Sequence, residues 1–436
     1  MNIIKKILII FVCFMFTSLL AFAEDEVSLE FDGDYNKHSI NITTVEQLVD
    51  DSVEDGAVAE SFEDVSGIES IHTPLPEIVV SEDVATMPLY AVIQRNIAQT
   101  VKNIKDIEID DLENVTPLFE DNLTKHFDKG PFSSIHGRIV LQNNVDFMMP
   151  EEGNSYSKYD VNLVNLLVDA RSRSGKDLFR VMMDVSHRHN RSFMQNLFYD
   201  LFYETKRIPH HSILFGNSRV GTGMEGLQSP YTLPFLNRSQ ISRNFSNIRK
   251  VGVRVRGDYK YVDYDFGGYS SDTFFTDFFP GGEFNSWINF KPLANNKEKK
   301  YGTLKTGAGI SVGKRHSTNY FVTGFGVQYS YKRLWSRMEY SVANGSNGAT
   351  GLTSQNRHGW YVTLGYKITK KLELLARYDE FDPDKSVSGN NRREYSTGLN
   401  YYIKGQALKL VLNYIFCQNQ HSFDSHRIML GAQLAI

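Results

Sequence analysis

The chain has 436 residues, a mean hydropathy of -0.34 and a formal net charge of -4. No internal run approaches eighteen apolar residues, which excludes a bundle of transmembrane helices. The small net charge hides an asymmetry: residues 24–129 hold 26 acidic and 6 basic residues, a net of -20, whereas residues 130–436 hold 25 acidic and 39 basic, a net of +14. Such a split predicts two regions with different tasks.

Lys5-Lys6 precede an apolar run from Ile7 to Phe22, and Ala21-Phe22-Ala23 stand before Glu24. That is the pattern of a secretory signal peptide over 1–23. No Cys follows the cleavage site, so a lipoprotein is not expected. Cys13 leaves with the signal, and Cys417 alone cannot form an intramolecular disulfide.

Residues 24 to about 86 are acidic with few aromatics and little to bury, the composition of a partly disordered segment. Between 88 and 109 the pattern changes. Leu89, Ile93, Ile97, Val101 and Ile104 recur at helical spacing and predict one amphipathic helix. The extension 24–129 is expected to be periplasmic and available to a periplasmic partner.

From about Ser134 onward the apolar residues alternate with period two, which predicts strands. The C-terminal run is clearest. Trp360, Val362, Leu364, Tyr366 and Ile368 are followed by Leu372, Leu374, Ala376 and Tyr378, then Tyr395 to Ile403, Leu408 to Phe416 and Ile428 to Ile436. Each segment is about nine to ten residues, the length of a membrane-crossing β-strand. One face is apolar or aromatic; the other carries Arg377, Lys404, Lys409, Asn413, Arg427 and Gln433. A soluble β-sandwich alternates similarly, but its hidden face is rarely ringed by Tyr and Trp at strand ends. The pattern is that of an all-β, transmembrane antiparallel β-barrel over 130–436, with lipid outside and water inside.

Connections alternate between short and long. The short ones hold 404–406, 370–371, 332–333, 294–301, 257–258, 206–209 and 172–176. The long ones span 417–426, 381–394, 343–359, 268–283 and 217–248, joined by shorter members at 188–193 and 148–158 and a tight one at 316–319. The count predicts about 16 strands with both ends in the periplasm. The longest connection, 217–248, is too apolar for a surface loop: it contains Leu227, Tyr231, Leu233, Phe235 and Leu236. It is expected to fold into the lumen, which sixteen strands leave wide enough to need a constriction.

Three stretches resemble the phosphate- and polyphosphate-selective porins of the O/P type. The first is 197–204 with 215–221, the second 235–239 with 251–257, and the third 372–382 with 398–402 and 409–414. The resemblance implies a sixteen-stranded, trimeric outer-membrane porin that passes anions by diffusion. The chain departs from the family at Thr222 to Glu225, where a Lys and a Pro-Phe-Gly turn are usual, and at Ile436, where an aromatic is usual. No individual phosphate ligand is carried over.

Anion channels place Arg and Lys where water is scarce. The expected constriction residues are Arg219, Arg238, Arg243, Arg249 and Lys250, against Glu225 alone. Strand parity also turns Arg254, Arg256, Arg337, Arg377, Lys409 and Arg427 inward, with Asp184, Asp200, Glu204, Glu339, Glu373 and Asp379 as inward acids. Small anions and outer-membrane lipid are the expected partners, nucleic acid is not, and no cofactor is implied. An enzyme is not expected, for no Ser-centred motif is present, and His187 and His189 belong to the opposite end from His210 and His211. The rival reading is an envelope-organising barrel, tethered through 24–129, in which conduction is incidental.

Overall fold

The computed structural model describes residues 123–186, 198–272, 277, 279–296, 300–420 and 422–436. The signal-peptide segment 1–23, the predicted helix 88–109, most of the acidic extension and both His187 and His189 lie outside the described residues.

A three-residue strand, β1 (Thr124–His126), precedes sixteen long ones. These are β2 (Phe132–Pro150), β3 (Tyr156–Ser172), β4 (Asp177–Asp184), β5 (Phe198–Thr205), β6 (His211–Arg219), β7 (Arg249–Asp258), β8 (Val262–Ser270) and β9 (Gly282–Phe290). Then come β10 (Thr303–Arg315), β11 (Thr318–Tyr331), β12 (Leu334–Gly348), β13 (Gly351–Lys367), β14 (Leu372–Asp382), β15 (Arg392–Lys404), β16 (Leu408–Asn419) and β17 (Ser425–Ala435). Each of β2 to β17 pairs antiparallel with its sequence neighbours. β17 returns to β2, from Ser425 opposite Pro150 to Ala435 opposite Val140, and closes the barrel. Closure leaves no open edge, the condition for a sheet in hydrocarbon, where an unpaired backbone group costs several kcal/mol.

Alternation places the apolar set outside. Phe179, Phe215, Val253, Ile288, Phe325, Leu364, Leu374 and Leu412 are all exposed on the outer surface, where lipid rather than water meets them. At the end away from the C-terminus, Trp360, Tyr378, Tyr395, Phe416 and His426 form a continuous row of rings across β13 to β17. Successive centroids are 5.0, 5.1, 6.0 and 5.0 Å apart. Such a row suits the level of the lipid headgroups.

Two expectations are corrected. Residues 343–359 are not a loop: β12 and β13 run on to Gly348 and Gly351 with a two-residue turn between them. The small polar residues there look solvent-facing in sequence, yet Ser346 and Asn347 are buried, and Asn347 O accepts from Lys250 of β7. Gly345, at φ +68°, forms the bulge that lets the pairing continue. Lys404, assigned to the water-facing row, lies instead at an irregular strand end and is exposed.

Candidate functional site

Residues 220–248 leave β6 and turn into the barrel. They form α1 (Met224–Leu227), a short 3-10 turn (Pro230–Thr232) and α2 (Gln240–Phe245). Helices this short cannot be stable alone, so their partners on the inner wall explain them. Ile241 and Phe245 pack with Val322, Ala343, Tyr361 and Phe381, and Phe235 packs with Trp335 and Leu375. These wall residues alternate with lipid-facing ones on β11 to β14, which fixes the segment inside.

Polar groups pin the same segment. A helix N-terminus leaves backbone N–H groups without partners, and it favours a negative charge. Met224 N and Glu225 N both donate to Glu339 of β12, each at 2.7 Å. Gln240 N donates to Asp379 of β14 at 2.7 Å. Asn413 accepts from Leu236 N, while Asn400 donates to Pro234 O. Lys409 donates to the carbonyls of Tyr231 and Leu233, each at 3.1 Å, and Arg377 to Asn237 O at 3.0 Å. Within the segment, Glu225 accepts from both the backbone N and the hydroxyl of Ser239, the N-cap of α2. Burial works against ionisation of Glu225, but Arg377 and Arg238 hold its carboxyl below the usual range.

The five expected constriction cations have separate partners. Arg219 donates to Gly226 O at 3.2 Å and to Asn247 at 3.0 Å. Arg238 donates to the carbonyls of Glu225 and Gln228. Burial lowers it to about 10, so it stays charged at neutral pH. Arg243 bridges Glu394 at 2.6 Å, and Arg249 bridges Asp200 at 2.6 Å while stacking on Tyr199. Lys250 bridges Glu283 and donates to Asn347 O.

The six lumen-facing cations also find partners. Arg254 pairs with Asp265, Arg256 with Glu204 and Arg427 with Asp146. Arg337 donates to Gln328 and, across the lumen, to Gln228 of the inner segment. Arg377 and Lys409 hold the segment as described.

A cavity of about 350 Å3 lies between the inner segment and the wall of β2 and β3. Arg238, Arg243, Asn237 and Asn247 border it on one side, Gln142 and Asp160 on the other. Arg219, Arg249 and Lys250 do not line it. Sequence reasoning missed Gln142, Asn237 and Asn247, since uncharged amides carry no signal of their own, and it missed Asp160 of β3 as well. It also missed the anchoring task of Glu339 and Asp379, although parity had turned both inward. His210 and His211 sit at the short turn between β5 and β6, where both rings pack on Tyr259.

Residues 270–436, which include β9 to β17, match the family model of phosphate-selective porin O and P. No curated protein matches the chain. Among solved structures, the anion-selective porin from Comamonas acidovorans superposes with a TM-score of 0.54 at 11% identity, covering 69% of this chain and 99% of that one. The outer membrane channel DcaP of Acinetobacter baumannii gives 0.52 at 11%, covering 72% and 99%. The trimer form of OmpT from Vibrio cholerae gives 0.50 at 10%, covering 69% and 99%. At such identity these likenesses concern the fold. Together with the family match over residues 270–436, they indicate a porin-type barrel in the outer membrane of a Gram-negative bacterium.

Proposed function

We propose that the barrel is a water-filled diffusion channel for small solutes, that it prefers anions, and that the segment 220–248 is its constriction. One observation carries the reading: the segment is built into the lumen, and Arg238 and Arg243 border the cavity that remains. Arg238 donates to backbone carbonyls rather than to a carboxylate, although the Glu225 carboxylate offsets part of its charge. Fixed charge acts most strongly where water is excluded and screening falls. The anion selectivity of the Comamonas porin supports the same preference here. The family description supports phosphate, whose oxygens suit the bidentate donors of Arg. The trimeric OmpT supports a homotrimer. Chemistry on substrate has no place in this reading, which is that of a channel.

The test is the reversal potential of refolded protein in asymmetric KCl. Arg238→Glu with Arg243→Glu should lower chloride-over-potassium permeability and weaken block by phosphate. The same exchange at Lys370 and Lys371, on the wet turn between β13 and β14, should do much less. Equal effects at the two places would overturn the constriction and its arginine filter.

A further inference from the structure

The cavity beside the inner segment is not lined by charge alone. Its volume of about 350 Å3 falls in the range of sites for small organic molecules, about 300–1,000 Å3. Pro230, Leu236 and the ring of Tyr199 line it, each half-buried. Arg249 stacks on that ring at 3.3 Å and holds it in place. A bare inorganic anion gains nothing from apolar walls, whereas an organic solute buries carbon against them.

The charged groups of the cavity are of both signs and stand on opposite sides. On the segment, Arg243 gives one bond from Nη2 to Glu394, and its side chain is still 32% exposed, so donors remain for a solute. Asn247 Oδ1 accepts from Arg219, which leaves its amide N–H groups unspent. On the wall, Asp160 lies opposite Asn144 in the β2–β3 register, and Asn144 is buried on the inner face. The ion-pair partner of Asp160 is Lys158, 3.2 Å away, and the two side chains are 47% and 52% exposed. A pair so wet is worth at most about 1 kcal/mol, so the carboxylate exchanges partners readily. A filter for inorganic anions alone is lined by Arg and Lys and has no use for a carboxylate facing them.

We propose, resting on the constriction reading above, that this cavity is a site for small amino acids. The solute's carboxylate meets Arg243 and Arg238, its ammonium meets Asp160, and its carbon side chain lies against Pro230, Leu236 and Tyr199. Asp160 is then the residue that sets which organic acids the channel favours.

The experiment compares L-valine with isovalerate, the same carbon skeleton without the ammonium. Each is added at neutral pH as a blocker of single-channel KCl current through the refolded protein. L-valine should block at roughly threefold lower concentration, the worth of one solvated ion pair. Equal block, or stronger block by isovalerate, would overturn the proposal without recourse to any variant. Asp160→Asn should erase the difference, weakening block by valine and strengthening block by isovalerate, with heat-modifiable migration retained. A preference for valine that survives this exchange would also overturn the proposal, since the ammonium would then be recognised elsewhere. Chloride-over-potassium permeability on the same channels keeps the two readings apart. A ratio near or below one would sink the anion preference, while the valine comparison would still decide the solute.

Discussion

The two halves of the inner wall use the same side chains for different ends. On β12, β14 and β16 four inward charges reach across to backbone: Glu339 and Asp379 accept from helix N-termini, and Arg377 and Lys409 donate to carbonyls of 220–248. On β3 to β8 they reach sideways to the next strand, as in Arg180 with Asp169 and Arg254 with Asp265. A charge buried in a narrow lumen needs a partner wherever it lies. Where a loop covers the wall, that partner is main chain and the product is position. Where none of the described loop covers it, the partner is another side chain and the product is a neutralised surface.

The contrast can be broken most sharply at Glu339. Glu339→Leu removes the acceptor of two charge-assisted bonds, together worth roughly 3–6 kcal/mol before relaxation. The segment should leave its seat. Single-channel conductance should rise several-fold, and urea unfolding of the barrel should move little. Unaltered conductance would mean that the apolar seat alone suffices.

The opposite wall should respond the other way. Arg180→Ala leaves Asp169 buried without its 2.6 Å partner. Since Arg180 is part-exposed, the loss should be roughly 2 kcal/mol in urea unfolding, with conductance unchanged. A conductance change of the size seen for Glu339→Leu would erase the distinction between the halves.

A smaller effect is expected where wall and segment touch as backbone. A Cβ at Gly348 would stand 2.0 Å from Asn244 O. Gly348→Ala should push α2 aside and raise conductance modestly, with no loss of barrel stability. The smallest effect concerns pH. Glu225 is held below its ordinary value of 4.5, so its anchoring is complete above that value and fades only as pH falls below it. The contribution of Glu225 to holding the segment should therefore be lost only under acid conditions. A Glu225→Gln variant should remove the part of any conductance climb that lies below pH 4.5, and a climb it leaves unchanged would belong to Glu339 and Asp379, the other carboxylates that hold the segment.

Much of this is legible in the sequence. Period two along 359–436 marks strands whatever their neighbours, and short charged turns such as Lys332-Arg333 punctuate them. The inward placement of Arg377, Lys409 and Glu339 follows from parity alone. What each would touch does not, because partners such as Asn237 O and Tyr231 O lie in the chain well over a hundred residues away. The hairpin through Asn344 to Gly348 escapes a sequence reading for a related reason. Asn, Ser and Gly signal a loop only when water is their partner, and here Arg357 meets Ser346, Ser271 and Tyr320 meet Asn347, and Asn244 abuts Gly348.

The route of 220–248 also bears on time. Its anchors, Glu339, Asp379 and Lys409, lie far downstream, so the segment has no seat until β12 to β16 exist as wall. The ring is shut by β17 on β2, finishing with Ile436 on Ile139. Joining the two ends of the barrel sequence is the pairing of greatest separation, hence the slowest to find. That lateness is useful: it keeps the seam open while the segment settles, and a chain that sealed early would trap its constriction out of place.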